Sequence, residues 1–363
     1  MSLMQDYDCV VIGAGVQGSF AAYQLAKQKK KTLLLEQVCQ TQTSKYTKAF
    51  IPSFQNGTFI SPHRQTGLLV MGPEHSGDYQ LFKNTLQRNK VPTVILTRDN
   101  FPQHIPNVIL AEGDGALVDV TAGELFADRA LKAVQFQKLG GVIRDNEKVM
   151  EINPGPVVKV TTSGGVYQAR SVVITAGPWT NKLLAHTGFQ LPLEVVKINV
   201  CYWKERAPGT YDVKQRFPCF LVTESVETKE HIYGLPSNEY PGLVKICYHM
   251  GSKTDPDYRD LQTDKSDIDI LKRYVARSMP GLIPEPAVVE SCMYTLTPDR
   301  HFVLDYHPNY SNIIIGAGFS GHGFKFGPVI GKLLCELCLG EVPSFDVSPF
   351  RIRRFQSNTK SAL

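Results

Sequence analysis

The stretch Asp8–Gln37, "DCVVIGAGVQGSFAAYQLAKQKKKTLLLEQ", decides the fold of this chain. A short apolar run leads into the pattern Gly13-x-Gly15-x-x-Gly18, and a segment with helical spacing follows. A second apolar run then ends at Glu36. This order predicts a strand, a tight turn, a helix and a second buried strand, the arrangement typical of dinucleotide-binding domains.

Each glycine of this turn has a mechanical reason. Gly13 allows the tight turn, Gly15 lets a pyrophosphate approach the backbone, and Gly18 lets the helix pack on the sheet. The helix N-terminus offers free N–H groups and a positive dipole end to the phosphates. The Glu36 carboxylate can accept hydrogen bonds from both hydroxyls of a ribose diol. Because it disfavours a 2′-phosphate, FAD or NAD is expected rather than NADP. A glycine-rich turn without a ligand is the alternative reading.

The patterns that follow interrupt a regular alternation of strands and helices. The stretch "HRQTGLLVMG" (63–72) has the spacing of a strand, and Thr121 is predicted as the N-cap of a helix. A hairpin is predicted to turn at Gly164–Gly165, before a buried strand that ends at Gly177. By analogy of fold, an interrupted Rossmann core with an antiparallel excursion suits a flavoprotein better than an NAD dehydrogenase.

We therefore predict an α/β protein whose discontinuous Rossmann-type FAD-binding domain is joined by a second, mainly antiparallel β-sheet substrate domain. A chain of 363 residues is long enough for two such domains. The predicted ranges are 1–62, 112–190 and 299–363 for FAD binding, and 63–111 and 191–298 for the substrate domain.

Composition and charge narrow the class of protein. Hydrophobic residues make up 42% of the chain and charged residues 20%, and the net charge is +5. No apolar run reaches the length of a membrane span, and the modest charge gives no reason to expect nucleic acid as a partner. The eight cysteines are expected to be reduced thiols. Cys335 and Cys338 form a CxxC on an apolar helix, which predicts core packing rather than a metal site.

Several longer motifs resemble the sarcosine oxidase family of FAD-dependent amine oxidases. The most specific are "CMYTLTPD" (292–299) and "GAGFSGHGFK" (316–325), and the likeness extends from about residue 6 to residue 345. The resemblance implies oxidation of sarcosine, L-pipecolate or a similar secondary amino acid. A hydride passes from the carbon beside the amine to the flavin, the imine hydrolyses, and dioxygen is reduced to hydrogen peroxide.

The resemblance also implies roles for individual residues. Cys292 matches the cysteine that holds FAD covalently through a thioether. Lys325 matches a lysine that pairs with the substrate carboxylate, and Lys245 matches the lysine that activates dioxygen. His249 matches a family active-site histidine. Tyr294, two residues after Cys292, is expected on the same side of an extended strand, within reach of the substrate carboxylate or amine. Further cofactor contacts are expected at Val149, Gly177, Gly318, Gly321 and Gly323.

One segment departs from the family pattern. After Glu36 the family expects "HSxGSSHGxxRxxR", whereas residues 38–62 match none of it, and no arginine occurs between Glu36 and Arg64. A flavin-binding pseudoenzyme or inactive form therefore stays an alternative to an active oxidase. An NAD-linked dehydrogenase is a third reading. The sequence does not rank sarcosine against L-pipecolate.

The last three residues, Ser361-Ala362-Leu363, are similar to the peroxisomal address Ser-Lys-Leu. They predict recognition by a peroxisomal import receptor and a peroxisomal location, where catalase would remove the hydrogen peroxide. The predicted partners are otherwise a small secondary amino acid and dioxygen, with no nucleic acid, membrane or metal. A monomer is expected.

Overall fold

The computed structural model describes residues 5–38, 63–127, 136–237 and 240–355. Most of the divergent 38–62 segment and the C-terminal tripeptide lie outside these ranges. The chain divides into two compact units. The first unit comprises Met1–Lys48, Asp128–Val195 and Met293–Leu363, and the second unit comprises Ala49–Ala127 and Val196–Cys292.

The helices and strands of the described residues have the following bounds. The helices are α1 Val16–Lys27, α2 Gly77–Arg88, α3 Phe101–His104, α4 Thr180–Leu184, α5 Ser266–Ser278 and α6 Gly327–Cys338. The strands before residue 145 are β1 Gln5–Ile12, β2 Thr32–Leu35, β3 His63–Gln65, β4 Leu68–Pro73, β5 Thr93–Leu96, β6 Asp114–Asp119, β7 Gly123–Leu125 and β8 Val142–Arg144. The later strands are β9 Val149–Asn153, β10 Val158–Thr162, β11 Val166–Ile174, β12 Glu194–Glu205, β13 Cys219–Val222, β14 Ile232–Leu235, β15 Leu243–Tyr248, β16 Ser252–Lys253, β17 Leu282–Leu296, β18 Val303–His307 and β19 Tyr310–Ala317.

The first unit is built on a sheet of the order β18-β19-β11-β1-β2-β8, with β10 and β9 beyond β11. Strand β1 is central and pairs in parallel with both β2 and β11. Val10 and Val11 point to opposite faces of this strand, and both are fully buried. Helix-covered parallel strands are buried on both faces, which explains the continuous apolar runs around the glycine pattern. The predicted Rossmann-type order is confirmed.

The second unit carries a mainly antiparallel sheet of the order β16-β12-β15-β14-β13-β4-β6-β5, and β17 pairs with β12. The neighbours β13 and β4 pair in parallel. Its core surrounds the fully buried Trp203 of β12 and includes Leu271, Tyr274 and Val275 of α5. The sheet thus has one face packed on a helix, as antiparallel sheets commonly do. None of the described helices is long and apolar enough to cross a membrane.

The structure corrects two local expectations. A helix capped by Thr121 does not begin there, because Asp119 accepts hydrogen bonds from Thr121 and Ala122 and turns the chain into strand β7. Residues 191–195 and 293–298, predicted to belong to the substrate domain, group with the first unit, and residues 112–127, predicted to belong to the FAD-binding domain, group with the second unit. The reason is that β6 pairs with β4 and β5 of the second sheet. The hairpin at Gly164–Gly165 is present between β10 and β11.

Candidate functional site

Two glycines of the turn after β1 are fixed by close backbone packing. Gly13 has φ +99°, a conformation that strains any other residue, and a Cβ there would lie 2.5 Å from Thr175 O. A Cβ on Gly18 would lie 1.9 Å from Gly13 O. The hydroxyl of Thr175 donates to Ile12 O and Gly13 O, at 3.0 and 3.2 Å. Thr175, which the sequence did not single out, therefore fixes the turn from the neighbouring strand end.

Gly15 differs from its neighbours because its missing side chain leaves open space. A Cβ there would have no atom of the protein within 4 Å, and Gly15 is the N-cap of α1. Its backbone lies beside the unpaired N–H groups of the helix N-terminus, which attract phosphate oxygens. Glu36 closes the turn from the end of β2: its carboxylate accepts from Ala14 N and Val38 N, both at 2.9 Å.

A cavity of about 420 Å³ opens beside this turn, entirely within the first unit. Five predicted cofactor-binding residues line it together: Gly13, Gly15, Glu36, Val149 and Gly177. Gly18 is not in the lining, because its role is packing against Gly13. The dinucleotide turn and the strand ends that follow it thus converge on one concave surface.

The same cavity has polar walls that sequence reasoning missed. Glu147, Lys148, Lys182 and His186 line it, and the last two are exposed on α4 and the short turn after it. These four residues belong to no recognisable sequence motif. Only a prediction that β11 ends beside β1 could have located them at this cavity. Their polar side chains would contact a molecule bound in the cavity.

A second glycine-rich turn, residues 318–325, lies at the end of β19 in the first unit. Gly318 and Gly321 have φ of +66° and +79°, and a Cβ on Gly318 would lie 2.4 Å from Thr297 Cγ2. The turn is joined to α1 because Gln17 Nε2 donates to Gly323 O at 2.9 Å. Gln17 is buried, and its Oε1 has no hydrogen-bond partner within the ranges that the structure describes.

Lys325 and Tyr294 also belong to the first unit. Lys325 is exposed in the short turn Phe324–Phe326 just before α6, with Nζ 5.6 Å from the Phe326 ring centroid. Tyr294 is half-buried near the end of β17. The division between the units falls between Cys292 and Met293, inside this strand.

In the second unit, Lys245 is half-buried on β15, opposite Tyr202 of β12 in the strand register. Its Nζ lies 5.7 Å from the centroid of the Tyr202 ring. The Tyr202 hydroxyl donates to Glu290 at 3.3 Å, and the Tyr240 hydroxyl donates to the other carboxylate oxygen at 2.5 Å. Tyr202, Tyr240 and Glu290 were not singled out from the sequence, because their partners are more than 30 positions apart.

His249 lies just beyond β15, four residues after Lys245. Its ring stacks on His231 with centroids 6.1 Å apart and meets the Tyr233 ring edge-on at 5.9 Å. His231 Nε2 is 3.1 Å from Asp78 Oδ2. Cross-strand pairing brings these groups together, since His249 N donates to His231 O at 2.9 Å.

Cys292 differs from the other cysteines of the described ranges in being exposed. Burial raises the pKa of Cys219 to about 11 and that of Cys335 to about 12, so these thiols are inert. Cys292 is accessible, which formation of a covalent bond requires. The remaining described cysteines are buried, apart from one that is half-buried: Cys9, Cys201, Cys219, Cys247, Cys335 and Cys338.

These residues fit FAD. The open space at Gly15 accommodates the pyrophosphate at a helix N-terminus, and Glu36 presents carboxylate oxygens to ribose hydroxyls. The cavity, at about 420 Å³, falls within the usual range for a bound small molecule. The buried, unsatisfied Gln17 Oε1 leaves an acceptor beside the second glycine-rich turn.

Comparisons with known proteins give the same class. Residues 46–337 match the family described as FAD dependent oxidoreductase, and residues 8–57 match the family described as Glucose inhibited division protein A. The chain is 47% identical to a peroxisomal sarcosine oxidase of Homo sapiens, over 98% of each chain. It is 31% identical to a monomeric sarcosine oxidase of Arthrobacter sp. (strain TE1826), again over 98% of each.

Solved structures share the fold. NikD, an unusual amino acid oxidase essential for nikkomycin biosynthesis, matches with a TM-score of 0.79 at 21% identity, covering 96% of this chain and 98% of its own. A glycine oxidase from Geobacillus kaustophilus matches with a TM-score of 0.76 at 19% identity, covering 97% and 99%. At these identities the likeness concerns the fold alone.

Proposed function

The chain belongs to the FAD-dependent oxidoreductases and, among them, to the sarcosine oxidase family, and on this premise we propose that it oxidises secondary amino acids such as sarcosine or L-pipecolate. The observation that carries the proposal is the cavity on which Gly13, Gly15, Glu36, Val149 and Gly177 converge. These residues would hold FAD, whose chemistry would be the acceptance of a hydride from the carbon beside the amine and the reduction of dioxygen to hydrogen peroxide.

The chain's own residues bind and orient under this proposal. Lys325 pairs with the substrate carboxylate, and Tyr294 contacts its carboxylate or amine, which fixes the C–H bond that is to be broken. Lys245 places a positive charge where negative charge develops on dioxygen, an effect that is stronger where water is excluded. His249 contributes to the same site through its ring nitrogens.

Cys292 is proposed as the point of covalent attachment for FAD. Its exposure on β17 supports this role, because thioether formation needs an accessible thiol that can lose its proton. A covalent bond would prevent loss of the cofactor. Gly318, Gly321 and Gly323 are proposed to let backbone approach the flavin closely from the first unit.

We also propose a peroxisomal location, with an import receptor that reads Ser361-Ala362-Leu363. The 47% identical human relative is named a peroxisomal enzyme, which supports this assignment. A compartment with catalase suits an enzyme that releases hydrogen peroxide. A monomer is proposed on the strength of the relatives named monomeric sarcosine oxidase.

Oxygen consumption by the FAD-loaded protein tests the proposed activity. Sarcosine and L-pipecolate should each consume dioxygen and yield one hydrogen peroxide per dioxygen. Glycine, which lacks only the N-methyl group of sarcosine, and L-norleucine, a primary amine of similar size to pipecolate, serve as matched controls with slow or no turnover. A yellow protein that is inert toward every secondary amino acid would contradict the proposal and favour the pseudoenzyme reading of the 38–62 segment.

A further inference from the structure

A cluster of buried and half-buried side chains in the second unit holds the aromatic ring that faces Lys245. Tyr202 is 2% exposed, and its ring meets Tyr240 edge-on, with centroids 4.7 Å apart and planes at 82°. Both hydroxyls donate to the carboxylate of Glu290, one to each oxygen. Packing on one side and hydrogen bonds at the tip leave the Tyr202 ring little freedom to rotate.

The fixed ring presents its face to the Lys245 ammonium. Lys245 and Tyr202 are directly opposed on antiparallel strands, and Nζ lies 5.7 Å from the ring centroid, within the range of a cation–π interaction. A lysine side chain has four rotatable bonds, so a preferred position for its charge requires such a contact. Electrostatic catalysis depends on a charge that is already in place when the reaction begins.

We propose that Tyr202 and Glu290 are positioning residues that hold the Lys245 ammonium in place for its action on dioxygen. Glu290 acts through Tyr202, and Tyr240 completes the pair of donors that fixes Glu290. This inference rests on the proposed function, in which Lys245 acts on dioxygen. It adds to that site two residues to which the resemblance assigns no role.

Two readouts on Tyr202→Phe, Tyr202→Leu and Glu290→Gln test the inference. Tyr202→Phe keeps the ring and removes the hydroxyl, whereas Tyr202→Leu removes the ring. Tyr248→Phe is the matched control, because Tyr248 lies on the same strand as Lys245 but its hydroxyl contacts Thr228 at 3.0 Å. The first readout is the rate at which acetic anhydride labels Lys245 in the flavin-free protein, measured by mass spectrometry against the exposed Lys204.

The second readout is reoxidation by dioxygen after the flavin has been reduced by light with EDTA as the electron donor, so that no substrate amino acid is needed. In Tyr202→Leu we expect Lys245 labelling to rise about threefold, because the ring no longer covers Nζ, and reoxidation to slow about five- to tenfold. In Tyr202→Phe and Glu290→Gln, both the labelling rate and the reoxidation rate should lie between those of Tyr202→Leu and the wild type. Tyr248→Phe should match the wild type in both measurements.

The outcomes separate this inference from the proposed function. Labelling of Lys245 that is the same in Tyr202→Leu and the wild type overturns the positioning contact, whatever the flavin does. Faster labelling of Lys245 in Tyr202→Leu, with an unchanged rate of flavin reoxidation, overturns the positioning role but not the proposed oxidase activity. A wild-type protein whose reduced flavin does not react with dioxygen would instead contradict the proposed function. The labelling experiment would still decide whether Tyr202 holds Lys245.

An independent observation in the first unit concerns a pair of thiols. Cys9 of β1 and Cys338, the last residue of α6, are 329 positions apart, and their sulfur atoms lie 3.5 Å from each other. Cys9 is 3% exposed, and Cys338 is half-buried and reachable from solvent. The hydrogen bond from the Cys338 thiol lowers the pKa of Cys9 and raises that of Cys338.

We infer that Cys9 and Cys338 form a disulfide when the protein is exposed to hydrogen peroxide. The Cys9 sulfur attacks one peroxide oxygen, the O–O bond breaks, and one water leaves with the formation of a sulfenic acid. The Cys338 sulfur then attacks Cys9, and the second water leaves. Two thiols and one hydrogen peroxide thus give one disulfide and two waters, with both sulfurs oxidised and both peroxide oxygens reduced.

Peptide mapping without reduction tests this inference after treatment of the folded protein with added hydrogen peroxide and alkylation of the remaining thiols. We expect a linked pair of peptides that contain Cys9 and Cys338, lighter by two hydrogen atoms than their sum. Cys335→Ser is the matched control: Cys335 lies one helical turn before Cys338 on α6, and the linkage should survive its loss. Cys338→Ser should abolish the linkage.

Two results would overturn the disulfide. One is a Cys335–Cys338 linkage in place of the Cys9–Cys338 linkage. The other is alkylation of both Cys9 and Cys338 after a dose of peroxide that fully oxidises glutathione added as an internal reference. The wild-type map decides between these outcomes even if the variants fold poorly, and added peroxide makes the result independent of turnover.

Discussion

Gly15 and Gly18 lie within one helical turn of each other, but each is needed for a different reason. Gly18 is required by the protein itself, since its missing Cβ makes room for Gly13 O and the Thr175 hydroxyl. Gly15 faces open space, so its missing Cβ matters only to a bound group. Substitution at these two positions therefore separates the stability of the turn from its binding of phosphate.

Alanine at each position should give opposite patterns. We expect Gly18→Ala to lower the free energy of unfolding by about 1–3 kcal/mol through overpacking. Gly15→Ala should change stability by less than about 0.5 kcal/mol, because φ at Gly15 is −64° and nothing is displaced. It should weaken FAD binding about tenfold or more, a contact worth about 1.4 kcal/mol. Denaturant titration and FAD fluorescence, both on a Cys292→Ser background, measure the two effects; unchanged FAD affinity in Gly15→Ala would place the pyrophosphate elsewhere.

Lys245 supplies a second prediction at the scale of single residues. Lys245→Met keeps an unbranched side chain that is one atom shorter and removes its charge. Reoxidation of the reduced flavin by dioxygen should slow about 100-fold or more, while reduction by substrate stays largely intact. Stopped-flow absorbance measures the two half-reactions separately. Lys204→Met, which removes an exposed charge from β12, is the control, and equal reoxidation in both variants would refute the role of Lys245.

At the scale of elements, the N-terminal helix and the C-terminal helix form one packed pair. Gly327 and Gly331 of α6 lie against α1: a Cβ on Gly331 would be 2.4 Å from Phe20 Cβ and 2.8 Å from Ala21 N. This close approach holds α1 against the sheet beside β1. It therefore fixes the direction of the α1 N-terminus, where the phosphates are proposed to bind. Elements some 300 residues apart in sequence thus determine the same turn.

Gly331→Ala tests the helix pair. The added methyl group meets backbone atoms that cannot move aside, so we expect the free energy of unfolding to fall by about 1–3 kcal/mol. Gly77→Ala is the control, since a Cβ there has no atom within 4 Å and the residue begins α2. Urea unfolding compares them. Equal stability of Gly331→Ala and the wild type would mean that α6 does not pack this closely on α1.

The sequence predicted the elements that local patterns specify. The order β1, α1, β2 follows from periodicity and glycine spacing, and the hairpin between β10 and β11 follows from Gly164–Gly165. It failed at Thr121, where an aspartate turn and pairing with β3 override helical spacing. The contacts of Glu290 and Thr175 could not be predicted, because strand pairings bring together residues that are far apart in sequence.

At the scale of the whole molecule, stability should depend on pH through a buried histidine. His307 is 2% exposed, and burial lowers its pKa below the usual value of 6.5. Its Nδ1 accepts from Asn309 N at 3.1 Å, and Nε2 lies 2.9 Å from the Thr187 hydroxyl. The hydroxyl itself donates to Leu184 O at 2.6 Å, which leaves Nε2 as the donor to Thr187. Both ring nitrogens are therefore satisfied in the neutral form.

The sign of the effect follows from proton uptake. Above pH 6.5 His307 is neutral in both states, so it costs nothing. Below pH 6.5 the unfolded chain binds a proton that the folded chain does not, and stability falls by up to about 1.4 kcal/mol per pH unit until the lowered pKa is reached. His307→Gln should lose less stability than the wild type between pH 7 and pH 5, as measured by urea unfolding. The exposed His104→Gln should keep the wild-type slope, and identical slopes in all three proteins would exclude His307.

The cofactor cavity belongs to the first unit, and Lys245, His249 and Cys292 belong to the second unit. The proposed activity requires that FAD bind at Cys292 in a chain whose 38–62 segment departs from the family pattern. Covalent attachment is therefore the point at which fold, site and family assignment are tested together.

Mass spectrometry of the purified protein after acid precipitation is the most direct measurement. We predict a yellow pellet in which the peptide containing Cys292 carries the flavin, and a Cys292→Ser protein whose pellet is colourless although it folds. A wild-type pellet without colour, and with Cys292 as an unmodified thiol, would contradict the central claim that this chain is an oxidase with covalent FAD.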